Sequence, residues 1–480
     1  MTLPAQPYAD NHGERNRAAA PNAFDKPEAE KSDEVITESN NSEDEEQSSY
    51  QVQDGFPEYL SPYTELDRAV SRASSATIGP PPDGGFAAWM SVAAGHLVIM
   101  NTWGVVNSFG VFQTYYTTAL NRAPSDISWI GSIQAFLLFF VGTFTGRLTD
   151  AGYFRSVMIV GMAFAVLGIF ATSVSTSYWQ IFLAQGVSTG LGNGCLFCPS
   201  VAVISSYFQK KRSLAIGIVA CGSVTGGLVY PSMMRELLPK IGFGWTVRAI
   251  GFLQAATLTI AISCLKARVP PRKTGQLIEW AAFKELEYTF YTIGAFMCFW
   301  GVYFPFFFLA SYSRDVQGMS YSTSLNLLLL LNGVGVIGRL LPNYFADRFG
   351  TINMFIPVAA LNGLLMYAWI AVSSTEGLYV WSSMYGMSGG AIQSLFPAAL
   401  SRLTTDPRKQ GTRMGMVFTI VSFSVLTGPP IAGAILSLMG GRYLGGQAFA
   451  GSCLVVVAGF LTAAREVKRR KLGEGTLARV

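Results

Sequence analysis

Few side chains in this 480-residue sequence could do chemistry inside the apolar stretches that dominate it. Arg339 stands in "LLLLLNGVGVIGRLLPNYFADRFG", Leu327 to Gly350, with apolar residues on both sides. A guanidinium keeps its proton, so its charge must be solvated or paired. It lies about eight residues, ~12 Å of helix, from the inner end of its run, too deep to reach water easily. Such a residue suits an anion or polar-ligand contact; a bond to helix-end carbonyls is the structural alternative. His96 is the only side chain in these stretches of a type that ordinarily titrates near neutrality. Asn107 follows eleven residues later, about 20° away around a helix, and Trp103 lies near that face. The three could line a polar strip, or His96 could simply bridge two helices. Phe299, Trp300, Tyr303 and Phe304 surround Pro305 in "FMCFWGVYFPFFF". Aromatic faces suit flat, unsaturated ligands, and proline removes a backbone bond and kinks the helix. Asn332, on the same run as Arg339, completes the candidate contacts.

Other chemistries are excluded by what these stretches lack. Asp126, Asp150, Glu236, Asp315 and Asp347 all fall near the ends of runs, so no carboxylate is placed for a midplane proton relay. Any proton coupling would fall to His96. Cys195 and Cys198 form a C-x-x-C without His or acidic neighbours, which reads as small core residues rather than a metal or redox pair. There is no nucleophile–base set and no Walker-type phosphate loop, so neither an intramembrane enzyme nor an ATP-driven pump is expected. No cofactor, metal or nucleic-acid partner is expected either.

The elements that must position these residues follow from composition. The chain is 50% hydrophobic but only 13% charged, against about 25% charged in soluble domains. Residues 1–83 hold 17 of the 29 acidic residues and 6 of the 34 basic ones, and read as a disordered acidic tail. Beyond them come twelve apolar runs, roughly 86–119, 127–148, 156–174, 178–207, 213–235, 245–266, 289–312, 321–345, 352–373, 377–402, 412–438 and 443–464. Each can span the ~20 residues of a hydrocarbon core. Basic residues such as Lys210, Lys211, Arg212, Arg268, Arg408 and Lys409 concentrate in alternate loops, which places both termini in the cytoplasm. The expected fold is an all-α membrane protein of twelve transmembrane helices in two six-helix halves, 84–267 and 288–464. A cytoplasmic linker, 268–287, joins them, and a basic tail, 465–480, follows.

The halves carry matching signals. "GRLTDAGYFR" ends the second run and "GRLLPNYFADRFG" the eighth, each with an Asp near a turn glycine. Asp150, Arg155, Asp347 and Arg348 are therefore candidate gating residues: a carboxylate beside a basic loop can hold a salt bridge in one state and lose it in another. The glycines of the fourth and tenth runs, among them Gly190, Gly192, Gly194, Gly389 and Gly390, read as sites of close helix packing.

These features resemble the major facilitator superfamily, whose inner-loop signature is matched by Gly146, Asp150 and Arg155 and again by Asp347, Arg348 and Gly350. "PPDGGFAAW", "NTWGVVNSFGVFQTYY", "SWIGSIQAFLLFFVG" and "GFGWTVRAIGF" resemble its monocarboxylate-transporter-like family, in the fungal branch. The resemblance implies alternating access between two rocking halves, with gate residues that pair across them. It also implies a membrane lysine and aspartate for lactate-like acids, and this sequence has Asn107 and Gly335 at those places. Only Arg339 remains of that set. The expectation is a carrier of a small organic molecule, with anions among the candidates, working in the lipid bilayer of the plasma membrane. Efflux of a fungal specialised metabolite is the leading reading. Uptake of a monocarboxylate, another organic acid or a vitamin-like nutrient is the second, and a vacuolar membrane the alternative location.

Overall fold

Residues 79–122, 124–272 and 275–473 are described in the computed structural model, all within the unit Ser61–Val480. The acidic tail expected over 1–83 lies outside them up to residue 78, as does the end of the basic tail from 474. Among the described residues the chain is helical, without strands. Helices α1 (Gly85–Asn107), α2 (Phe109–Ala119), α3 (Pro124–Phe140), α4 (Gly142–Leu148), α5 (Phe154–Val174), α6 (Tyr178–Ile181), α7 (Thr189–Tyr207), α8 (Arg212–Ala220) and α9 (Gly222–Cys264) make the first half. The second half comprises α10 (Leu286–Val302), α11 (Phe304–Asp315), α12 (Tyr321–Phe349), α13 (Thr351–Ile370), α14 (Thr375–Leu403), α15 (Gln410–Leu438) and α16 (Leu444–Leu472).

Nine helices among the described residues are long and apolar enough to cross a membrane, by length and composition. Two of them, Asp126–Val174 and Arg212–Cys264, run 49 and 53 residues, more than twice what one crossing needs. Each is broken by a glycine with non-helical backbone, Gly152 at φ 98° and Gly242 at φ 73°. A side chain at those angles would clash with its own backbone, which is why glycine stands there. Thr375–Leu403, 29 residues long, is a further helix of comparable length.

The expected kink at Pro305 is a one-residue break. Helix α10 ends at Val302, Tyr303 keeps a right-handed helical backbone, and α11 starts at Phe304 with the proline in its first turn, where its missing N–H costs nothing. A similar break at Ser108 separates α1 from α2, and the Ser108 hydroxyl donates to Gly104 O at 2.6 Å.

Within the halves, α1 packs along α9, α5 on α7, α12 on α14, and α16 on α10 and α13. Two main crossings join the halves, α3 and α4 against α15 and α8 against α12 and α14, with smaller contacts of α7 on α15 and of α9 on α12. The first is closed by glycine. A Cβ on Gly146 would lie 2.0 Å from Gly411 O, and one on Gly415 would lie 2.0 Å from Gly142 O. The helices therefore touch backbone to backbone. The glycines of the fourth run are packed in the same way: a Cβ on Gly192 would lie 2.4 Å from Ala165 N, and one on Gly194 would lie 2.7 Å from Leu137 O.

Candidate functional site

Between the halves, where α1, α3, α7, α10, α12 and α14 converge, lies a small cavity lined by aromatic rings and one cation. Helix α1 supplies Trp103, α3 Phe139 and α7 Phe197 from one half; Phe299, Tyr303 and Phe396 face them from the other. The rings of Trp103 and Tyr303 stack across the interface, centroids 6.2 Å apart and planes 13° from parallel. Phe139 meets Phe299 edge-on at 5.5 Å, and Phe418 of α15 closes the ring against Phe139, Phe197 and Phe396. Each such pair adds ~0.5–1.5 kcal/mol beyond area burial. The cavity measures about 40 Å³, room for only a few waters. A drug-sized ligand needs some 300–1,000 Å³, so the cavity is too small for one in this structure.

Among the described residues Arg339 is the one cation in the lining, and it is 2% exposed. Its Nη2 donates to the amide oxygen of Gln393 on α14, while its buried Nε has no partner. Among the described residues no carboxylate pairs with it. The side chain folds against α14 because two glycines admit it: a Cβ on Gly335 would lie 2.5 Å from Arg339 Nη1, and one on Gly390 would lie 3.0 Å away. The glycines flanking Arg339 therefore do not open space for a ligand. Gly335 holds the guanidinium itself, and Gly338 admits α14, with Met387 O only 1.7 Å from its would-be Cβ. A buried guanidinium held by one neutral amide retains donors for an anionic or carbonyl acceptor.

The structure brings Arg339, Trp103 and Tyr303 together and places the other candidates elsewhere. His96 bridges helices: Nδ1 lies 3.0 Å from Ile218 O and Nε2 3.0 Å from Thr225 Oγ1. A carbonyl can only accept, so Nδ1 donates to it; the threonine hydroxyl, 3.4 Å from Cys221 O, can serve Nε2 in either role. Asn107 sits at the last residue of α1 beside Gly227. Trp300 donates to Thr427 Oγ1 at 2.9 Å, inside the second half. Asn332 donates to Leu328 O one turn back, leaving its buried Oδ1 unpartnered. Gln393 was missed in sequence, although it is a lone amide in the otherwise small and apolar "GGAIQSLF". Phe139, Phe197 and Phe418 carry no signal that separates them from lipid-facing bulk.

At the linker end the two acidic candidates do contact the opposite half, but through backbone. Asp150 accepts from Gly411 N at 2.9 Å and from Thr412 N and Oγ1 at 2.7 Å each, capping the start of α15. Asp347 accepts from Ser213 N and Leu214 N, both at 2.9 Å, capping the start of α8, and pairs with Arg402 at 2.8 Å. Carboxylates are favourable at helix N-termini, where N–H groups lack partners. The expected basic partners do not cross. Arg155 is exposed, and Arg348 lies over the ring of Tyr344 one turn back on its own helix, 4.5 Å from the centroid.

A family profile described as Major Facilitator Superfamily matches residues 92–404. The chain belongs to that superfamily. This transporter is 55% identical over 398 residues to an MFS-type transporter of Gibberella zeae, covering 82% of this chain and 90% of that protein. It is 36% identical over 365 residues to an aspyridones efflux protein of Emericella nidulans, covering 75% and 74%. The crystal structure of the E. coli fucose:proton symporter FucP shares its fold, with a TM-score of 0.61 at 16% identity, over 79% of this chain and 99% of that one.

The aspartate contacts set the register between the transporter's halves, and it differs from the match of the two Gly-Arg-Leu triplets. Superposing Asp150 on Asp347 sets Gly142, not Arg147, opposite Arg339. Arg147 instead donates to the linker carbonyls of Arg272, at 3.1 Å, and Gly275, at 3.2 Å. The linker is fastened on its other side as well. Glu279 accepts from Lys409 at 2.8 Å and Arg413 at 3.3 Å. Burial lifts the Glu279 carboxyl, but the two cations outweigh it and hold it below the usual carboxylate range.

Proposed function

We propose that the transporter exports a planar, largely apolar organic metabolite bearing an acidic or carbonyl group, in a fungal cell. The observation that carries this reading is Arg339: a buried guanidinium with no carboxylate among its described partners, set at the edge of an aromatic cage between the halves. The rings would stack on the flat part of the substrate while the guanidinium takes its polar group. The similarity to a curated efflux protein for aspyridones supports the outward direction. The "PPDGGFAAW" stretch favours placement within the monocarboxylate-transporter-like branch.

In this reading the chain crosses the membrane twelve times, with each half of the two glycine-broken helices and Thr375–Leu403 counted as crossings. Both termini lie in the cytoplasm of a plasma-membrane carrier. Asp150 and Asp347 would latch the cytoplasmic end, and their caps support reading this as a state closed to the cytoplasm. Rocking of the halves would break both caps and the Trp103–Tyr303 stack, enlarging the cavity to ligand size. Among the described residues the cavity lining has no carboxylate, which supports transport that is facilitative or coupled elsewhere. Neither ATP nor a cofactor takes part.

Trp103 provides the test. Purified protein should show quenching of Trp103 fluorescence by planar aromatic acids from fungal culture extract, and Trp103→Phe should remove that component. Inside-out vesicles should accumulate the same compounds. Accumulation of small aliphatic monocarboxylates alone, without quenching, would favour the uptake-type reading.

A further inference from the structure

A second cavity, of about 560 Å³, opens at the linker end of the transporter, remote from the aromatic cage. It is formed by both halves. Arg212 and Arg268 line it from the first, Arg402, Thr404, Gln410 and Lys468 from the second, and the stretch 79–81 borders it. Four of these residues are cations, and among the described residues no carboxylate lines the cavity.

The nearest acids are already engaged. Asp347 is shared by Arg402 and two backbone N–H groups. Asp83 accepts from Gln209 N at 2.6 Å and Lys210 N at 2.7 Å. Glu287 holds Lys471 at 2.8 Å. Two polar atoms at the cavity wall are unpartnered: the Thr404 hydroxyl, on a residue 6% exposed, and the buried Nε of Arg402. Lys468 is held to the site by donating to Arg402 O at 3.0 Å, which leaves two of its three donors for a ligand. Like charges gathered around a roomy cavity repel one another unless an anion joins them, and buried polar atoms are rarely left unpaired.

We propose that this cavity binds a phosphate-bearing anion that joins the two halves at the linker end. A tetrahedral oxyanion accepts from guanidinium, ammonium and hydroxyl together, and arginine matches phosphate geometry. The volume exceeds what inorganic phosphate needs and lies within the range for small-molecule sites. Basic pockets between membrane helices on the cytoplasmic side take phospholipid headgroups, and a free phosphorylated solute offers the same chemistry. Because wall residues come from both halves, the anion stabilises the closed linker end over any state that separates them. This inference rests on the cavity and not on the identity of the exported substrate.

The test uses full-length transporter in zwitterionic nanodiscs and needs no transport. Thermal unfolding is titrated with inorganic pyrophosphate, and separately with short-chain phosphatidylinositol phosphate. One or both should raise the melting temperature in a saturable way. Saturation by pyrophosphate marks a site for free phosphates, and saturation by the lipid alone marks a headgroup site. Lys468→Gln and the near-isosteric Thr404→Val should each raise the half-saturating concentration about tenfold, as expected for one lost charged hydrogen bond. Lys210→Gln, at an exposed position on the neighbouring loop, should leave it unchanged. Amide exchange at Ser213 and Leu214 should slow when the ligand is present, because their N–H groups report the closed interface. The proposal is overturned if neither compound stabilises the protein saturably. It is also overturned if stabilisation survives both variants undiminished.

Discussion

Asp150 and Asp347 do the same work in opposite halves: each sends both carboxylate oxygens across the interface to the first free N–H groups of a facing helix, α15 for one and α8 for the other. A cap of this kind is strong when the helix ends abut and is lost when they part, so in the proposed latch the two aspartates would respond to the opening of one end of the transporter.

Asp150→Asn and Asp347→Asn should therefore shift the conformational balance rather than the binding site. Each charged hydrogen bond removed weakens the closed state by ~1.5–3 kcal/mol, and Asp347→Asn also loses the Arg402 pair. Spin labels on the α4 and α15 ends should report a larger open population, and turnover should fall more than ligand affinity. If both variants cycle normally at low and at high salt, the latch assignment is wrong.

Glu279 adds a pH dependence. Its carboxyl titrates below the ordinary carboxylate value in the folded protein, so the fold favours the ionised form. The stability this contributes is fully present above the unfolded value of ~4.3 and is lost as pH falls through the lowered folded value. Thermal unfolding should thus show no Glu279 contribution to pH dependence between pH 5 and 7 and a decline below about 4. Glu279→Gln should flatten that decline; a decline of equal size in the variant would place the responsible carboxylate elsewhere.

His96 reads differently in sequence and in structure. Eleven residues put it on one face with Asn107, yet that face of α1 meets α8 and α9, and both ring nitrogens are engaged there. We expect His96→Gln to lower stability by ~1–2 kcal/mol through a lost interhelical bond, while flux per folded molecule keeps its pH profile. Loss of a steep pH dependence in a well-folded variant would instead make His96 the proton carrier.

Much of the architecture is legible in the residues. The apolar runs, the basic loops and the glycine breaks at 152 and 242 all follow from hydropathy and backbone sterics. Arg339, Trp103 and Tyr303 stand out because their chemistry conflicts with, or exceeds, what an apolar run needs. Gln393 and the phenylalanines of the cage do not, since a phenylalanine in a membrane helix looks alike whether it faces lipid, a neighbour or a cavity. The partners of Asp150 and Asp347 were hidden for another reason: a carboxylate beside basic loops suggests a salt bridge, whereas backbone N–H groups at a helix start carry no mark in the sequence.

Gly335 tests how the guanidinium is seated. An alanine there brings a methyl carbon to 2.5 Å from Nη1, so the arginine must move off Gln393, at a cost of ~1–3 kcal/mol. Gly335→Ala should fold and lose most transport. Gly335→Asp should pair the arginine internally and abolish binding of anionic ligands in particular. Unchanged affinity in both variants would show that the seat is immaterial.

If Arg339 holds the substrate, as proposed, ligand affinity in Arg339 variants is the direct measure of it. Arg339→Gln keeps a polar side chain but removes the charge, and Arg339→Lys keeps the charge but loses the planar fork. Binding is read by quenching of Trp103 fluorescence in purified protein whose unfolding transition remains cooperative. Binding should be weaker by ~1.5–3 kcal/mol in each variant, with no transport by Gln and a residue of it by Lys for anionic compounds. Wild-type affinity in a folded Arg339→Gln protein would contradict the proposal, leaving Arg339 as a structural bond between α12 and α14.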